Sequence, residues 1–499
     1  MGAWVSPCER KQSMVAEDTF VFLNESRSVT SSAAWNDPAT EKLWLYNLHY
    51  FDDLHAKGAT NRREWHSHLI ERWIEENPPG YGNGWEPYPS SLRIVNWIKW
   101  ELSGGVLSPR AVASLAVQIR FLCERLEFHL LGNHLLANAK ALIFAGAFFE
   151  QAEAEEWLAK GLAILRRELP EQILADGGHF ERSPMYHGII LEDLLDIENI
   201  GNAYGLGAIV KAETIGKMRS WLTAMCHPDG EIAFFNDAAF GIAPALADLD
   251  GYAERLGYPV QQAPYDGVLY LAESGYIRLQ NGRAVLLVDA APIGPSYLPG
   301  HAHADTLSFE LSLYGHRLMV NSGTSCYGSG LERQRQRGTS AHNTLVVDRQ
   351  DSSEVWGGFR VARRAHVRTL DIAESTDGTR VEASHDGYRR LPGRNLHRRS
   401  YLLSDGLLVI EDEVTGVFDH AEIHFHLHPD IIVSEADESK VLLRMANGNM
   451  VDMVIQGGNL LIEQATWHPY FGVSAPNTCL VAVLTELKIR TVIKWGEKS

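Results

Sequence analysis

The chain has 499 residues, of which 45% are hydrophobic and 22% are charged, and its formal net charge is −18. One hydrophobic core rarely extends over so many residues, so the length predicts two domains. The acidic balance argues against general nucleic-acid binding, which needs a basic surface, but it leaves open an acidic ligand held in a locally basic cleft.

The cysteines and the N-terminus bear on the cellular compartment. Five cysteines lie far apart, at positions 8, 123, 226, 326 and 479, and they form no CxxC pair. Their odd number and wide spacing favour a reducing compartment. No apolar run has the length of a membrane span, and the first residues lack the apolar segment of a signal peptide. We therefore expect a cytoplasmic protein, or a periplasmic or secreted one whose leader has been removed.

Helical periodicity dominates the N-terminal half of the chain. Apolar residues recur at helical spacing in segments such as 111–126 and 154–165, and clusters of Gly, Pro and Asn separate these segments. We predict helical hairpins arranged as an incomplete (α/α) toroid over residues 41–262, preceded by an N-terminal extension over residues 1–40. A helical solenoid is the competing architecture, but no repeat of fixed period is present.

The pattern changes to short strands after about residue 265. Segments such as 276–280 and 284–289 are typical of strands, and turn signals lie between them. Short strands at regular intervals predict a large antiparallel β-sandwich over residues 263–499. The predicted fold class is therefore α+β multidomain, a toroid followed by a sandwich, with a cleft expected where the two domains meet.

Two segments of the helical half carry candidate functional residues. Asn133 and His134 lie at the start of a strongly helical stretch. The ordinary alternative is that Asn133 caps this helix and His134 packs locally. The loop of residues 176–187 brings together Glu, Arg, Tyr and His side chains, among them Tyr186, and loops on a rigid scaffold often carry function.

Aromatic residues are also placed to bind a sugar. Trp85, Glu86 and Tyr88 form a short cluster in the helical half. Trp and Tyr offer flat faces on which sugar rings stack, although at helical spacing they are as often part of the hydrophobic core.

Histidines and arginines concentrate between residues 299 and 343. His301 and His303 lie two residues apart before a predicted strand, so on an extended chain their side chains point to opposite faces and can have different functions. A cluster of arginines and another histidine follow in the same segment: Arg333, Arg335, Arg337 and His342.

Other histidines are not included in the predicted site. His424, His426 and His428 alternate along a predicted strand, and a row of metal ligands is one interpretation. A strand with polar histidines on one face is the simpler one. His316, in a turn between strands, is predicted to be a surface residue.

The chain resembles the heparinase II/III-type polysaccharide lyases, a group that includes the oligoalginate lyases. The similarity lies in four segments that follow one another across the change from helix to strand: Asn133-His134, Ser183-Pro-Met-Tyr186, His301-Ala-His303-Ala-Asp305 and Ala341-His342-Asn343-Thr344. It extends from about residue 43 to the C-terminus, and it implies the same toroid and sandwich.

The resemblance implies cleavage of a uronic-acid-containing polysaccharide by β-elimination. Such a reaction needs neutralisation of the sugar carboxylate, removal of the C5 proton and protonation of the departing O4. By resemblance, Asn133 neutralises the carboxylate, and His134 assists it or acts as a base. Tyr186 protonates O4 and is a candidate base for one sugar configuration, and His301 is the other base.

Further residues are candidates for substrate contacts. Arg182, Arg333 and Arg337 can bind carboxylates or sulfates through two parallel hydrogen bonds, although a solvated charged face is the alternative for the last two. Tyr327 resembles a tyrosine that lines the cleft in family members.

A metal site is also implied but open. His303 and His342 match positions that hold a structural divalent ion in relatives together with an aspartate. Asn321 stands in the aspartate position here, and a neutral amide is a poorer ligand for Zn²⁺. A structural Zn²⁺ or Ca²⁺ ion and a hydrogen-bonded histidine pair without metal both remain open, and the chemistry itself requires no cofactor.

The sequence thus predicts a lyase that acts on an acidic polysaccharide or oligosaccharide, either glycosaminoglycan-like (heparan sulfate) or alginate-like, and forms a C4–C5 unsaturated uronyl product. One alternative is a uronyl C5-epimerase on the same scaffold. Another is a non-catalytic glycan-binding protein of capsule or exopolysaccharide assembly. The sequence does not predict the particular glycan, endo or exo action, or the oligomeric state.

Overall fold

The computed structural model describes residues 2–262 and 266–496. The chain forms two compact units that alternate along the sequence. The first consists of Met1–Ile173, Gly188–Arg219 and Gly241–Gln261, and the second of Leu174–His187, Ser220–Phe240 and Gln262–Ser499. Two segments of the N-terminal half therefore belong to the second unit. The boundary predicted at residue 263 lies outside the described residues.

The first unit is mainly helical. Its helices, of which α7 and α8 extend into segments of the second unit, are α1 (Lys42–Tyr50), α2 (Arg63–Glu76), α3 (Pro87–Leu102), α4 (Pro109–Cys123), α5 (Gly132–Phe148), α6 (Ala152–Gln172), α7 (Pro184–Tyr204), α8 (Ala212–Ala224) and α9 (Leu246–Arg255). Ahead of them, three short strands pair antiparallel in chain order: β1 (Met14–Ala16), β2 (Thr19–Phe22) and β3 (Glu25–Ser28).

Local sequence accounts for the start and the buried face of a helix such as α4. The Ser108 side chain accepts a hydrogen bond from the Ala111 amide at 3.0 Å, and Pro109 takes the first helical position, where a missing N–H costs nothing. Ala111, Leu115 and Ile119 recur every four residues and are buried.

A buried charged cluster joins four helices of the first unit. Asp196 of α7 accepts hydrogen bonds from Lys99 of α3 at 2.9 Å and from Lys140 of α5 at 2.6 Å. The hydroxyl of Tyr252 in α9 donates to its other oxygen at 2.9 Å. Burial alone would raise the pKa of Asp196, but the two lysines hold it below its usual value.

The second unit is mainly antiparallel sheet, and it also contains the short helix α10 (Leu331–Arg337). A five-stranded sheet runs in chain order through β4 (Gly267–Leu271), β5 (Tyr276–Asn281), β6 (Ala284–Asp289), β7 (Phe309–Leu313) and β8 (His316–Met319). A four-stranded sheet has the order β20-β21-β16-β9, formed by β9 (Leu345–Val347), β16 (Ala421–His426), β20 (Gly458–Trp467) and β21 (Ala475–Leu484).

The largest sheet has eight strands in the order β12-β13-β14-β15-β22-β19-β18-β17. These are β12 (Val367–Ser375), β13 (Gly378–His385), β14 (Leu396–Ser404), β15 (Leu407–Thr415), β17 (Ile432–Ala436), β18 (Lys440–Arg444), β19 (Met450–Gln456) and β22 (Lys488–Trp495). A separate hairpin pairs β10 (Val355–Trp356) with β11 (Arg360–Val361).

Alternating side chains from the three larger sheets build one hydrophobic core. In β22, every second residue from Ile489 to Trp495 is buried, and Ile489, Ile493 and Trp495 belong to this core, while the residues between these buried positions are exposed or half-buried. Because strands from all three sheets contribute to one core, they form a sandwich in which the loops between strands lie at the edges.

Within the described residues, every helix is too short or too polar to cross a lipid bilayer.

The cluster around Asp196 gives a prediction for stability. Asp196→Ala leaves two buried lysines without their shared carboxylate, so we expect the free energy of unfolding to fall by about 3–5 kcal/mol. Urea unfolding followed by circular dichroism measures this change. The matched control is Glu213→Ala, which breaks an exposed pair with Lys217 on α8 and should leave the midpoint unchanged. Equal midpoints for Asp196→Ala and the native chain would contradict the assigned role.

Candidate active site

A buried carboxylate organises the candidate site in the second unit. Asp237 has no solvent exposure, and both of its oxygens accept hydrogen bonds from the guanidinium of Arg333. His301 Nδ1 lies 2.8 Å from Oδ2, and His303 Nε2 lies 2.8 Å from Oδ1. Asp237 therefore connects two of the predicted histidines with one of the predicted arginines.

The ionisation of Asp237 decides the tautomers of both histidines. Burial alone would raise the pKa of Asp237, but the charge of Arg333 and the hydrogen bonds from His301 and His303 hold it well below its usual value. An ionised carboxylate only accepts hydrogen bonds. When its ring is neutral, His301 must then carry its proton on Nδ1, and the lone pair lies on Nε2.

Tyr186 and His301 form a stacked pair. Their ring centroids are 3.8 Å apart, with an angle of 30° between the planes. The Tyr186 hydroxyl is 2.7 Å from the hydroxyl of Tyr327, and His301 Nε2 lies 3.8 Å from a carboxylate oxygen of Glu181. The His301 side chain is 15% exposed, so a ligand can reach this pair.

Local structure fixes the position of Tyr186 in the first turn of α7. The Ser183 hydroxyl accepts from the Tyr186 amide at 3.2 Å and donates to the carbonyl of Asp237. The amide of Asp237 in turn donates to the carbonyl of His301 at 2.9 Å. Three segments that are distant in sequence are thereby held together through their backbones.

The three predicted anion-binding arginines are engaged within the protein. Arg333 donates to Asp237 and to the Gly358 carbonyl, and Arg337 donates to the carbonyl of Ala302 at 2.9 Å. Arg182, which has a left-handed φ of 59°, donates to the carbonyl oxygens of Ser274 and Phe180, both at 3.0 Å. Because all three are buried, these contacts give no support to a direct role in substrate binding, which stays a prediction.

The hairpin of β10 and β11 borders the stacked pair. Its turn residue Phe359 packs edge-on against His301 and Tyr327, with centroid distances of 6.0 and 5.2 Å. Trp356 on the same hairpin is exposed, and the guanidinium of Arg360 lies 5.2 Å from its ring. The hairpin thus offers an aromatic and a cationic surface beside the candidate base.

His303 and His342 have the contacts of a hydrogen-bonded pair. His303 donates from Nε2 to Asp237, so its Nδ1 accepts from His342 Nε2, 3.2 Å away. Burial lowers the pKa of both rings, which keeps them neutral. The Asn321 side-chain oxygen accepts from the Asn343 amide at 3.1 Å. With both ring nitrogens of His303 already committed, these residues do not fit a metal ion without rearrangement, and we derive no chemistry from one.

The first unit contains the other predicted catalytic residues. α5 begins at Gly132 after Leu131, whose φ is 60°. Asn133 is therefore the second helical residue and not the cap, and it is buried. His134 is half-exposed, its Nδ1 lies 2.9 Å from a carboxylate oxygen of Glu127, and its ring packs on Tyr88 with centroids 4.5 Å apart.

The predicted sugar-binding cluster divides in the structure. Trp85 is buried among aromatic rings, and its indole N–H donates to the Asn77 carbonyl. This is the environment of a core residue, which was the alternative to sugar binding. Glu86 is partly exposed and contacts the Tyr46 hydroxyl and Lys42. Tyr88 is half-buried, and its ring packs on that of His134, a predicted catalytic residue. Its predicted role in sugar binding therefore stays a prediction.

Three residues of the site were given no role from the sequence. Asp237 and Glu181 contact His301, and Glu127 contacts His134. Asp237 is a single charge within the largely apolar segment 233–240, which is a weak signal. Glu181 lies in the loop of residues 176–187, which the sequence did indicate, whereas Glu127 does not stand out by spacing.

Two family models and several solved structures are similar to this chain. The family model described as heparinase II/III N-terminus matches residues 62–254, and the one described as heparinase II/III-like, C-terminal matches residues 266–495. A crystal structure of heparinase III superposes with a TM-score of 0.75 at 19% identity, covering 96% of this chain and 80% of that one. This likeness confirms the predicted toroid followed by an antiparallel sandwich.

Curated relatives of the chain bear two different names. The heparin-sulfate lyase of Bacteroides stercoris is 26% identical over 363 residues, which are 67% of this chain and 52% of that protein. The FtsZ-localized protein C of Caulobacter vibrioides is 26% identical over 445 residues, 81% of this chain and 73% of that protein. The chain spans 52% to 64% of the length of the heparin-sulfate lyases it matches. Because the two family models together cover most of the sequence, the chain belongs to the heparinase II/III-type family.

Proposed function

We propose that the protein is a polysaccharide lyase that cleaves a uronic-acid-containing glycan by β-elimination. The observation that carries the proposal is the stacked Tyr186 and His301 pair, with His301 oriented by the ionised Asp237. Three of the family members it matches are named heparin-sulfate lyase, so a glycosaminoglycan is the first substrate class to test and alginate the second.

Each step of the elimination has a candidate group. His301 Nε2 removes the C5 proton, the electrons of that bond form the C4–C5 double bond, and the C4–O4 bond breaks with its electrons going to O4. The Tyr186 hydroxyl protonates O4. Tyr327, 2.7 Å away, then donates a hydrogen bond to the resulting Tyr186 phenolate. Burial raises the pKa of Tyr327 well above its usual value, which keeps it a phenol able to donate.

Neutralisation of the uronate carboxylate is assigned to Asn133 with His134. Charge on that carboxylate grows into an enolate-like dianion when the C5 proton leaves, so a fixed donor there stabilises the transition state more than the ground state. Glu127 accepts from His134 Nδ1 and thereby holds the ring in place, leaving its Nε2 for the substrate.

Two other functions are outcomes of the same experiment. A uronyl C5-epimerase would remove the same proton and return one to the opposite face without losing O4. A glycan-binding protein without catalysis would need neither step, and one matched relative bears a name that refers to FtsZ and not to an enzyme.

We expect lyase activity on at least one member of a panel of heparan sulfate, chondroitin sulfate, hyaluronan and alginate. The ultraviolet absorbance of the unsaturated uronyl product should rise with time. Exchange of the C5 proton with deuterated solvent without that absorbance would identify an epimerase. Binding with neither signal would identify a non-catalytic protein and end the lyase proposal.

Variants assayed on the glycan that is cleaved test whether Tyr186 and His301 carry out the proton transfers. Tyr186→Phe and His301→Ala should each lower kcat by about 100- to 10,000-fold, the range for loss of a general acid or base. Tyr270→Phe and His316→Ala change exposed residues of the same unit and should keep full activity. Full activity in both site variants would refute the assignment.

The role of Asp237 as a positioning residue gives a separate prediction. Asp237→Asn should lower kcat with little change in KM, because an amide can donate as well as accept and no longer selects the tautomer of His301. ¹⁵N chemical shifts of His301 provide the separate readout: a proton on Nδ1 in the native chain, and a mixture in the variant. An unchanged tautomer in a folded variant would assign Asp237 to stability alone.

The proposed role of Asn133 as a fixed donor can also be tested. Loss of a fixed donor to developing charge typically costs about 100- to 1,000-fold in kcat, and we expect this for Asn133→Ala. Asn61→Ala, at an exposed position of the same unit, is the control. If the variant changes only KM, Asn133 binds substrate uniformly and does not stabilise the transition state.

A further inference from the structure

We propose that His424, His426 and Cys479 form a binding site for a thiophilic divalent metal ion of the zinc type. These three buried side chains each offer one ligand atom, and the three atoms lie within 4.8 Å of one another. The cluster has no ligand residue in common with the stacked pair or with the contacts of Asp237, and the proposal does not depend on the proposed lyase function.

Strand register places the three residues on one face of the four-stranded sheet. His424 and His426 are two residues apart in β16, and Cys479 of β21 is the direct cross-strand partner of His426. The residues between them, such as Phe425 and Leu480, point the other way into the hydrophobic core. Backbone geometry alone therefore brings two imidazoles and a thiol together on a sheet face that does not belong to the core.

The distances suit a tetrahedral ion. The Cys479 sulfur lies 3.7 Å from His424 Nδ1 and 3.9 Å from His426 Nε2. An ion with bonds of about 2.3 Å to sulfur and about 2.0 Å to nitrogen sets these atoms about 3.6 Å apart at tetrahedral angles. Small side-chain rotations are enough to close the site around the ion.

A carboxylate orients the first ligand. His424 Nε2 lies 3.1 Å from an oxygen of Glu422, whose other oxygen lies 2.8 Å from His420 Nε2. Carboxylate oxygens accept hydrogen bonds, so both histidines donate to Glu422. The His424 proton therefore sits on Nε2, and the Nδ1 lone pair is directed at the sulfur, as in carboxylate–histidine–metal arrangements.

His426 reaches the site with Nε2, the nitrogen that lies 3.9 Å from the sulfur. This nitrogen also lies 2.9 Å from the Ser340 carbonyl, and the buried Nδ1 has no hydrogen-bond partner among residues 2–262 and 266–496. Metal binding at Nε2 would therefore replace the hydrogen bond to Ser340 and move the ring proton to Nδ1.

Cys479 completes the set by losing its proton. Burial raises the pKa of this thiol, so without metal it stays protonated. On binding, the S–H bond breaks, a sulfur–metal bond forms and the proton goes to solvent, which makes affinity increase with pH. Glu463, opposite Cys479 in β20 and exposed, offers a carboxylate for the fourth position, and water is the alternative fourth ligand.

Cobalt titration of the chelator-treated full chain tests this proposal. Co²⁺ bound to a thiolate gives a sulfur-to-metal charge-transfer band in the near ultraviolet, which the sulfur-free pair of His303 and His342 cannot produce. We expect the band to saturate at one ion per chain and to disappear when Zn²⁺ is added. Absence of the band from the native chain would overturn the proposal.

Variants assign the band to this cluster. Cys479→Ser should abolish it, and His424→Gln should weaken Co²⁺ binding at least tenfold. Cys226→Ser is the matched control, because Cys226 is an equally buried free cysteine of the same unit, and it should keep the band. Circular dichroism establishes that each variant is folded. A band that persists in folded Cys479→Ser, or vanishes in Cys226→Ser, would refute the site.

Discussion

The ion pair between Asp237 and Arg333 is the interaction on which the candidate site depends. Removing two charges from water costs several kcal/mol per ion, which good geometry and additional hydrogen bonds must offset. Here the guanidinium binds both carboxylate oxygens, and His301 and His303 donate to the same oxygens. With its charge balanced by Arg333, Asp237 stays ionised, and burial keeps His303 neutral. Asp237 therefore needs no second positive charge beside it.

The arginines of the helix that carries this ion pair also hold loop backbones in place. α10 has seven residues and carries Arg333 and Arg337, whose side chains reach the loop of Ala302 and the hairpin turn at Gly357 and Gly358. Carbonyl oxygens in loops have no partners within a sheet or helix, and buried ones require donors. The arginines supply these donors, so loops that carry His301 and Phe359 are held in place without regular secondary structure.

Periodicity was sufficient to predict the fold, but the site was predictable only in part. Alternation along strands such as β22 and helical spacing in α4 are local, so they can be read from consecutive residues. Burial of Arg333 could not be read this way, because its carboxylate partner is 96 residues away in sequence. The alternative interpretation of Asn133 as a helix cap is wrong. Leu131, whose φ is 60°, takes the cap position, and Asn133 lies in the first turn of the helix.

Histidine–carboxylate pairs recur in this chain, and what lies beyond the ring determines what each pair can do. When the ring is neutral, a carboxylate fixes one nitrogen of His301 and of His424 as a donor, and so leaves the other as a directed lone pair. The His301 ring is partly open to solvent, which suits the proton transfer proposed for it. For His424, the lone pair meets the buried sulfur of Cys479, a group that binds metal ions and not carbohydrates. Identical pairing chemistry therefore supports proton transfer where solvent is present, and ion binding where a thiol takes its place.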